Sequence, residues 1–187
     1  MTDLKQLFGS YNLCARFAPG FLFILAVYFL FGYDIEKLEY NSLIFITLII
    51  ILSIISGFAS ASLIKFIEWF IWKSFNPTIH YLKSNHKDLY ENLLLKYKDD
   101  NKIMTQILAT TREDSKLLWK NIAYGFFRNS ILLSFVCLFF SYQTQYFCWN
   151  LGVSLFIVFM TFVSTCYYAQ QAIESYKEII SKGKANA

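Results

Sequence analysis

Three stretches of the chain carry no acidic or basic residue: 17–33, 41–64 and 129–173. At about 1.5 Å per residue the second makes about 36 Å of helix, enough to cross a hydrocarbon layer of about 30 Å with some tilt. The first makes about 24 Å and spans with Arg16 snorkelling at one end and Tyr33 at the other. The third is roughly twice as long as one crossing needs, so it folds back on itself. The polar run Ser141-Tyr142-Gln143-Thr144-Gln145, with Cys148-Trp149-Asn150 after it, marks the turn. The pattern therefore predicts four spans, at 17–33, 41–64, 128–146 and 150–170. A cleaved signal sequence is the alternative for the first, although no small-x-small site precedes Gly32-Tyr33-Asp34.

Residues 65–127 change to helical periodicity with charges, and no strand alternation interrupts it. Asn76-Pro77 reads as an N-cap followed by proline in the first turn, Ser84-Asn85 offers a second start, and Asp99-Asp100-Asn101 puts negative charge at the head of a third helix. Ile103, Ile107 and Leu108, then Leu117, Leu118, Asn121 and Ile122, form an apolar stripe leading into the third span. The segment is too small for a core of its own, so it is expected to pack on itself in an oligomer or under the membrane helices. The expected protein is all-α: a cytoplasmic N-terminus (1–16), spans one and two (17–64), a helical cytoplasmic insertion (65–127), spans three and four (128–170) and a C-terminal tail (171–187).

Composition narrows the class. With 56% hydrophobic and 16% charged residues in 187, the chain has too much apolar surface for a disordered coil and more than a small soluble globule could hide. Charge sets the orientation. Residues 65–128 hold eleven basic against seven acidic residues, whereas 33–40 hold Lys37 against Asp34, Glu36 and Glu39. Basic loops stay on the cytoplasmic side, which predicts both termini there. Trp69, Trp72 and Tyr81 fit an inner interfacial belt, and Tyr146 and Trp149 an outer one.

Candidate chemistry is sparse. His80 and His86 lie six apart, off the i, i+4 spacing of a helical metal site, and no HExxH, CxxC or phosphate-binding glycine loop occurs. Cys14, Cys137, Cys148 and Cys166 read as small hydrophobes. No catalytic residue, metal site or cofactor is nominated, and the reading is of a protein that is not an enzyme. No ionisable residue falls in the middle of the expected spans, which argues against a carrier built on buried carboxylates. The spans instead carry small and hydroxyl residues. Ser53, Ser56, Gly57 and Ser60 share one helical face, and Thr161 and Thr165 lie in the fourth span. Such a face serves close helix packing or, in an oligomer, an uncharged pore lining. Arg16 and Arg128 read as membrane anchors, yet Pro19-Gly20 and Tyr124-Gly125 beside them are costly in a helix that only anchors, and suggest bends. Lys83, Lys87, Lys96, Lys98 and Lys102 are interleaved with Tyr81, Tyr90 and Tyr97, a surface suited to lipid headgroups or to phosphates and stacked bases.

Ala15-Arg16 with Pro19-Gly20, Pro77-Thr78 with Leu82-Lys83, and the run Asn121-Ile122-Ala123-Tyr124-Gly125-Phe126-Phe127-Arg128-Asn129 resemble a family of small bacterial four-span membrane proteins with ARxxPG and NxxYGFxRN motifs. The chain departs from that pattern at Ser74-Phe75-Asn76, where glycines are expected. Proteins of this type look like the membrane effectors of Hailong-type antiphage systems. The resemblance implies a homo-oligomeric gated channel controlled by a nucleotide or oligonucleotide from a partner nucleotidyltransferase, with Arg16, Pro19, Gly20, Asn121, Tyr124, Gly125, Arg128 and Asn129 as motif or gating positions. Two other readings stay open: a non-conducting anchor or scaffold for a cytoplasmic partner, and a small membrane-bound enzyme.

Overall fold

The computed structural model describes residues 9–30, 42–74, 76–111 and 114–185, and among them every regular element is helical. We number the helices α1 (Ser10–Leu30), α2 (Ser42–Ser74), α3 (Pro77–Asn85), α4 (Lys87–Tyr97), α5 (Asp100–Thr111), α6 (Ser115–Phe140) and α7 (Phe147–Ala185). Four segments are long and apolar enough to cross a membrane: Ser10–Leu30, Ile44–Phe66, Leu117–Phe140 and Phe147–Ser181. The chain is thus compatible with a multi-pass membrane protein.

The bounds differ from the sequence expectation in an instructive way. The first helix begins at Ser10 rather than at 17, because the first turns are apolar enough to join it around Arg16. The acidic stretch at 33–40 lies outside the described residues. The helix of the third expected span, α6, starts at Ser115 rather than at 128 and stops at Phe140, short of 146. It stops because Ser141 and Thr144 draw the backbone into a turn: the Thr144 N–H and Oγ1 both donate to the Ser141 carbonyl, at 2.9 and 3.0 Å, and Thr144 Oγ1 accepts from the Tyr146 N–H. Residues 171–185, expected as a tail, continue α7 without a break.

The chain divides into two units, Met1–Ile67 with Ile122–Phe162 and Glu68–Asn121 with Val163–Ala187. In the first, most of the buried residues are small or polar, among them Ala15, Ser53, Ser60, Asn129, Ser134 and Ser154, with Ile64, Ile122, Tyr124 and Leu133 as buried larger ones. Large apolar side chains point outward, among them Ile44, Ile55, Leu63, Phe139, Leu155 and Phe159.

The second unit is built the other way round. Ile79, Leu82, Leu93, Ile103, Ile107, Leu117, Ala172, Ile173 and Tyr176 form one apolar core from α3, α4, α5, α6 and α7. The segment thus packs on itself, and it enlists the end of α7 to do so. Tyr81, expected at a membrane interface, packs against this core. Local signals place the helices. Asn76 caps α3, its Oδ1 accepting from the Ile79 N–H at 3.2 Å with Pro77 in the first turn. The second start falls at His86 rather than at Ser84-Asn85. Asp100 heads α5, and its carboxylate accepts from Lys83 Nζ at 2.8 Å and from the Tyr90 hydroxyl at 3.0 Å, tying α3, α4 and α5 together. The expected apolar stripe is not continuous: Ile103, Ile107 and Leu117 are buried, while Leu118 is exposed.

Candidate functional site

The most elaborate polar arrangement among the described residues lies inside the first unit, and it starts from a proline. In an α-helix the N–H of residue 19 would serve the carbonyl of residue 15; Pro19 has none. Just ahead of it, Leu13–Phe17 forms a π-helical turn, a local widening that also loosens the usual backbone pairing. The Ala15 carbonyl takes its hydrogen bond from elsewhere, from the side-chain amide of Asn129 on α6, a residue with no exposed surface. The same side chain accepts from Arg128 Nε at 3.1 Å. That bond fixes which end of the amide faces Ala15. The backbone carbonyl of Asn129 in turn accepts from the Ser60 hydroxyl on α2 at 2.6 Å. One asparagine therefore joins α1, α2 and α6.

Glycines let the backbones come close enough for this. A β-carbon on Gly57 would overlap the Arg16 carbonyl, and one on Gly20 would overlap the Ser53 carbonyl and stand 2.8 Å from the Gly57 nitrogen. A β-carbon on Gly125 would stand 2.9 Å from both the Ala15 β-carbon and the Tyr11 hydroxyl. These contacts are the small-residue packing that lipid-immersed helices use in place of a hydrophobic drive.

The two arginines are held by rings. The Arg128 guanidinium stands over Tyr124 at 5.3 Å and is 8% exposed. The Arg16 guanidinium stands over Phe58 at 5.0 Å and Tyr11 at 5.8 Å, and its Nε is buried without a hydrogen-bond partner among the described residues. Both lie inside candidate spans, Ser10–Leu30 and Leu117–Phe140. The apolar helices thus reach past both arginines, which the charge pattern sets at span ends, because α1 starts at Ser10 and α6 at Ser115.

The structure brings together Arg16, Pro19, Gly20, Gly125, Arg128 and Asn129, from two motifs about a hundred positions apart, with Gly57 and Ser60 of the small-residue face on α2. It does so through contacts that no spacing rule contains. Asn121 is half-buried on α6. Ser53 is buried, with its hydroxyl turned to the Ile49 carbonyl at 2.6 Å, and Ser56 donates to Leu52 at 2.8 Å. The Ser53-Gly57-Ser60 face is thus occupied by neighbouring helices of the same chain. Thr161 and Thr165 are half-buried on α7, Thr161 donating to the Ile157 carbonyl at 2.8 Å.

Among the described lysines singled out above, two are already engaged. Lys83 is paired with Asp100 and stands over the Tyr90 ring at 4.8 Å; the Asp100 hydrogen bond, and after it the one with Tyr90, holds its ammonium above the ordinary lysine range. Lys96 stands over Tyr97 at 5.2 Å. Lys87, Lys98 and Lys102 are exposed, Lys98 in a left-handed conformation that closes α4. Among the described residues no three of His, Cys, Asp and Glu come together as a metal site would require.

The molecule these features define is an all-helical chain with four candidate spans and a buried polar junction where three of its helices meet. No family model, no curated protein and no solved structure matches it.

Proposed function

We propose that the protein is a multi-pass inner-membrane effector that assembles as a homo-oligomer and opens a gated conductance, with both termini and the second unit in the cytoplasm. The observation that carries this reading is Arg128. With the 141–146 turn at the outer surface, Arg128 falls about 18 Å down α6, inside a hydrocarbon layer of about 30 Å. A cation at that depth is expensive and is kept where it does work. The junction it supports is held by a few hydrogen bonds around a π-helical turn, the kind of element that can rest in either of two arrangements. Because α6 is one unbroken helix from Ser115 to Phe140, a signal received near its start has a direct route to Gly125, Arg128 and Asn129.

The resemblance to Hailong-type effectors supplies the rest of the proposal. The signal is a nucleotide or oligonucleotide made by a partner nucleotidyltransferase, and the conductance defends the cell against phage by depolarising it. Lys87, Lys98 and Lys102 are exposed cations of the inserted segment that suit such a ligand. The face of α7 that carries Thr161 and Thr165 suits a pore wall better than the Ser53-Gly57-Ser60 face, which intrachain packing uses.

The test is a membrane-potential dye in bacteria expressing the chain with and without the nucleotidyltransferase. Signal-dependent depolarisation is expected, and Arg128→Gln is expected to abolish it while leaving the amount of protein in the membrane fraction unchanged. No change of dye signal under either condition refutes the conducting role. A scaffold is the second reading, favoured by Leu95 and Trp119, which are 78% and 68% exposed in the second unit and suit a protein partner. It predicts an intact potential and a partner that co-purifies until Leu95→Asp removes it.

A further inference from the structure

The first unit contains a groove that the polar junction does not use. Its volume is about 280 Å³, and α1, α6 and α7 line it, with Ala26, Phe126, Leu133, Cys137, Asn150 and Val153 among its walls. The walls are apolar, and the few hydroxyls on them are spent: Ser130 donates to Phe126, Ser134 to Ile131 and Ser154 to Ser134, at 2.8, 2.8 and 3.3 Å, each to a backbone carbonyl. Asn150 differs. Its amide nitrogen is buried and has no hydrogen-bond partner among the described residues.

Position and size narrow what fits. Asn150 lies in the first turn of α7, and the Ser154–Ser134 bond sets the α6–α7 hairpin so that Asn150 falls at the Cys137 end of the groove. Tyr142, Tyr146 and Trp149 are exposed around that end, as aromatic residues are at the headgroup level. From Phe126 to Cys137 the groove runs about 16 Å along α6, half the thickness of a hydrocarbon layer of about 30 Å. That is the depth of one leaflet. Water is a poor occupant, because apolar walls with one free donor leave it without partners.

We propose that the groove holds one acyl chain of a membrane phospholipid from the leaflet on the 141–146 side, with an ester carbonyl oxygen of that lipid accepting from the Asn150 amide nitrogen. Lipid bound this way wedges α1 against the α6–α7 hairpin. The proposal rests on the membrane reading and is independent of conduction.

The test uses the full chain in phosphatidylethanolamine and phosphatidylglycerol vesicles doped with a phospholipid carrying a photoreactive diazirine on its acyl chain, with labelled peptides mapped by mass spectrometry. Labelling is expected to concentrate on the segments 126–137 and 150–157. Val153→Trp, which fills the groove from a half-exposed position, is expected to cut that labelling at least tenfold while labelling at the exposed Ile50 and Ile51 of α2 persists. Ala26→Phe fills the same space from α1 and must repeat the loss. Asn150→Leu is expected to lower the amount of phospholipid retained on the protein after detergent extraction severalfold.

Labelling spread evenly over every lipid-facing helix, or unaffected by both filling variants, overturns the proposal. So does cross-linking of these segments to a second copy of the chain, which would make the groove a subunit contact. A chain that fails to insert into the vesicles overturns the membrane reading and the lipid site together, whereas insertion with even labelling overturns the lipid site alone.

Discussion

The two units bury different mixtures of residue. In the first, serines, alanines, glycines and one asparagine make up most of the interior, beside Ile64, Ile122, Tyr124 and Leu133, and most isoleucines, leucines and phenylalanines are on the outside. In the second, leucines and isoleucines are inside and lysines are outside. The difference teaches which force holds each. Water drives large apolar side chains together, so a water-facing unit gains most by hiding its biggest hydrophobes. Lipid offers no such gain, and helices immersed in it hold by close backbone approach and by hydrogen bonds between helices. On the membrane reading proposed above, one chain uses two construction rules, and substitutions of opposite sense should damage the two units.

The largest effect is expected in the second unit from deleting volume. Ile107 has no exposed surface, and Ile107→Ala should cost about 4 kcal/mol through lost transfer energy and a residual cavity, read as a drop in thermal stability of the detergent-solubilised protein. In the first unit the damaging change adds volume. Gly57→Leu drives a side chain into the Arg16 carbonyl and should cost about 3 kcal/mol, since the obstacle is backbone and cannot swing away. The comparison breaks if Gly57→Leu is tolerated as easily as a change on the exposed side of α2, such as Ile55→Leu.

Asn129→Leu is next. It keeps the volume but leaves the Ala15 carbonyl and Arg128 Nε without their partner, a penalty of about 2 kcal/mol. Limited proteolysis that finds α1 as protected as before would count against the junction.

The smallest effect is the Lys83–Asp100 pair, whose side chains are 46% and 39% exposed and so are screened by water. The partners raise the Lys83 pKa above its ordinary value of 10.5, so the pair's contribution is fully present below that value and fades as pH climbs through the raised one. The stability difference between the native chain and Lys83→Met should therefore stay constant from pH 7 to 9 and shrink only in stronger alkali. A difference that already varies with pH near neutrality would show that another group is titrating.

Much of the fold was legible along the chain. The charge-free stretches located all four apolar helices, because a crossing needs an uninterrupted apolar run and nothing else about it matters for that purpose. Asn76-Pro77 and Asp100 announced helix starts correctly, since caps act over three or four residues. Boundaries that depend on distant packing were not legible. The extension of α7 past residue 170 is one case: Ala172, Ile173 and Tyr176 are ordinary helix residues until the core of the second unit encloses them. Arg128 is another: the charge pattern sets it at the head of a span, and it lies in the middle of a longer apolar helix because α6 runs from Ser115 to Phe140.

The candidate junction was half legible. Pro19-Gly20 and Tyr124-Gly125 drew attention as poor helix formers, and that local cost was real. What the cost allowed was hidden, because a missing N–H at Pro19 says only that some donor must reach Ala15, not that it comes from residue 129.

Sequence alone determined that this is a helical chain with lipid-compatible stretches, a polar insertion and a positive bias, because periodicity and charge act locally and survive without knowing any contact. Tertiary structure decided which small residues face which backbone, where the freed carbonyl at Ala15 finds its donor, and which hydrophobes form a core and which face outward. Those outcomes depend on distances of a few ångströms between segments far apart in the chain, and no linear pattern carries them.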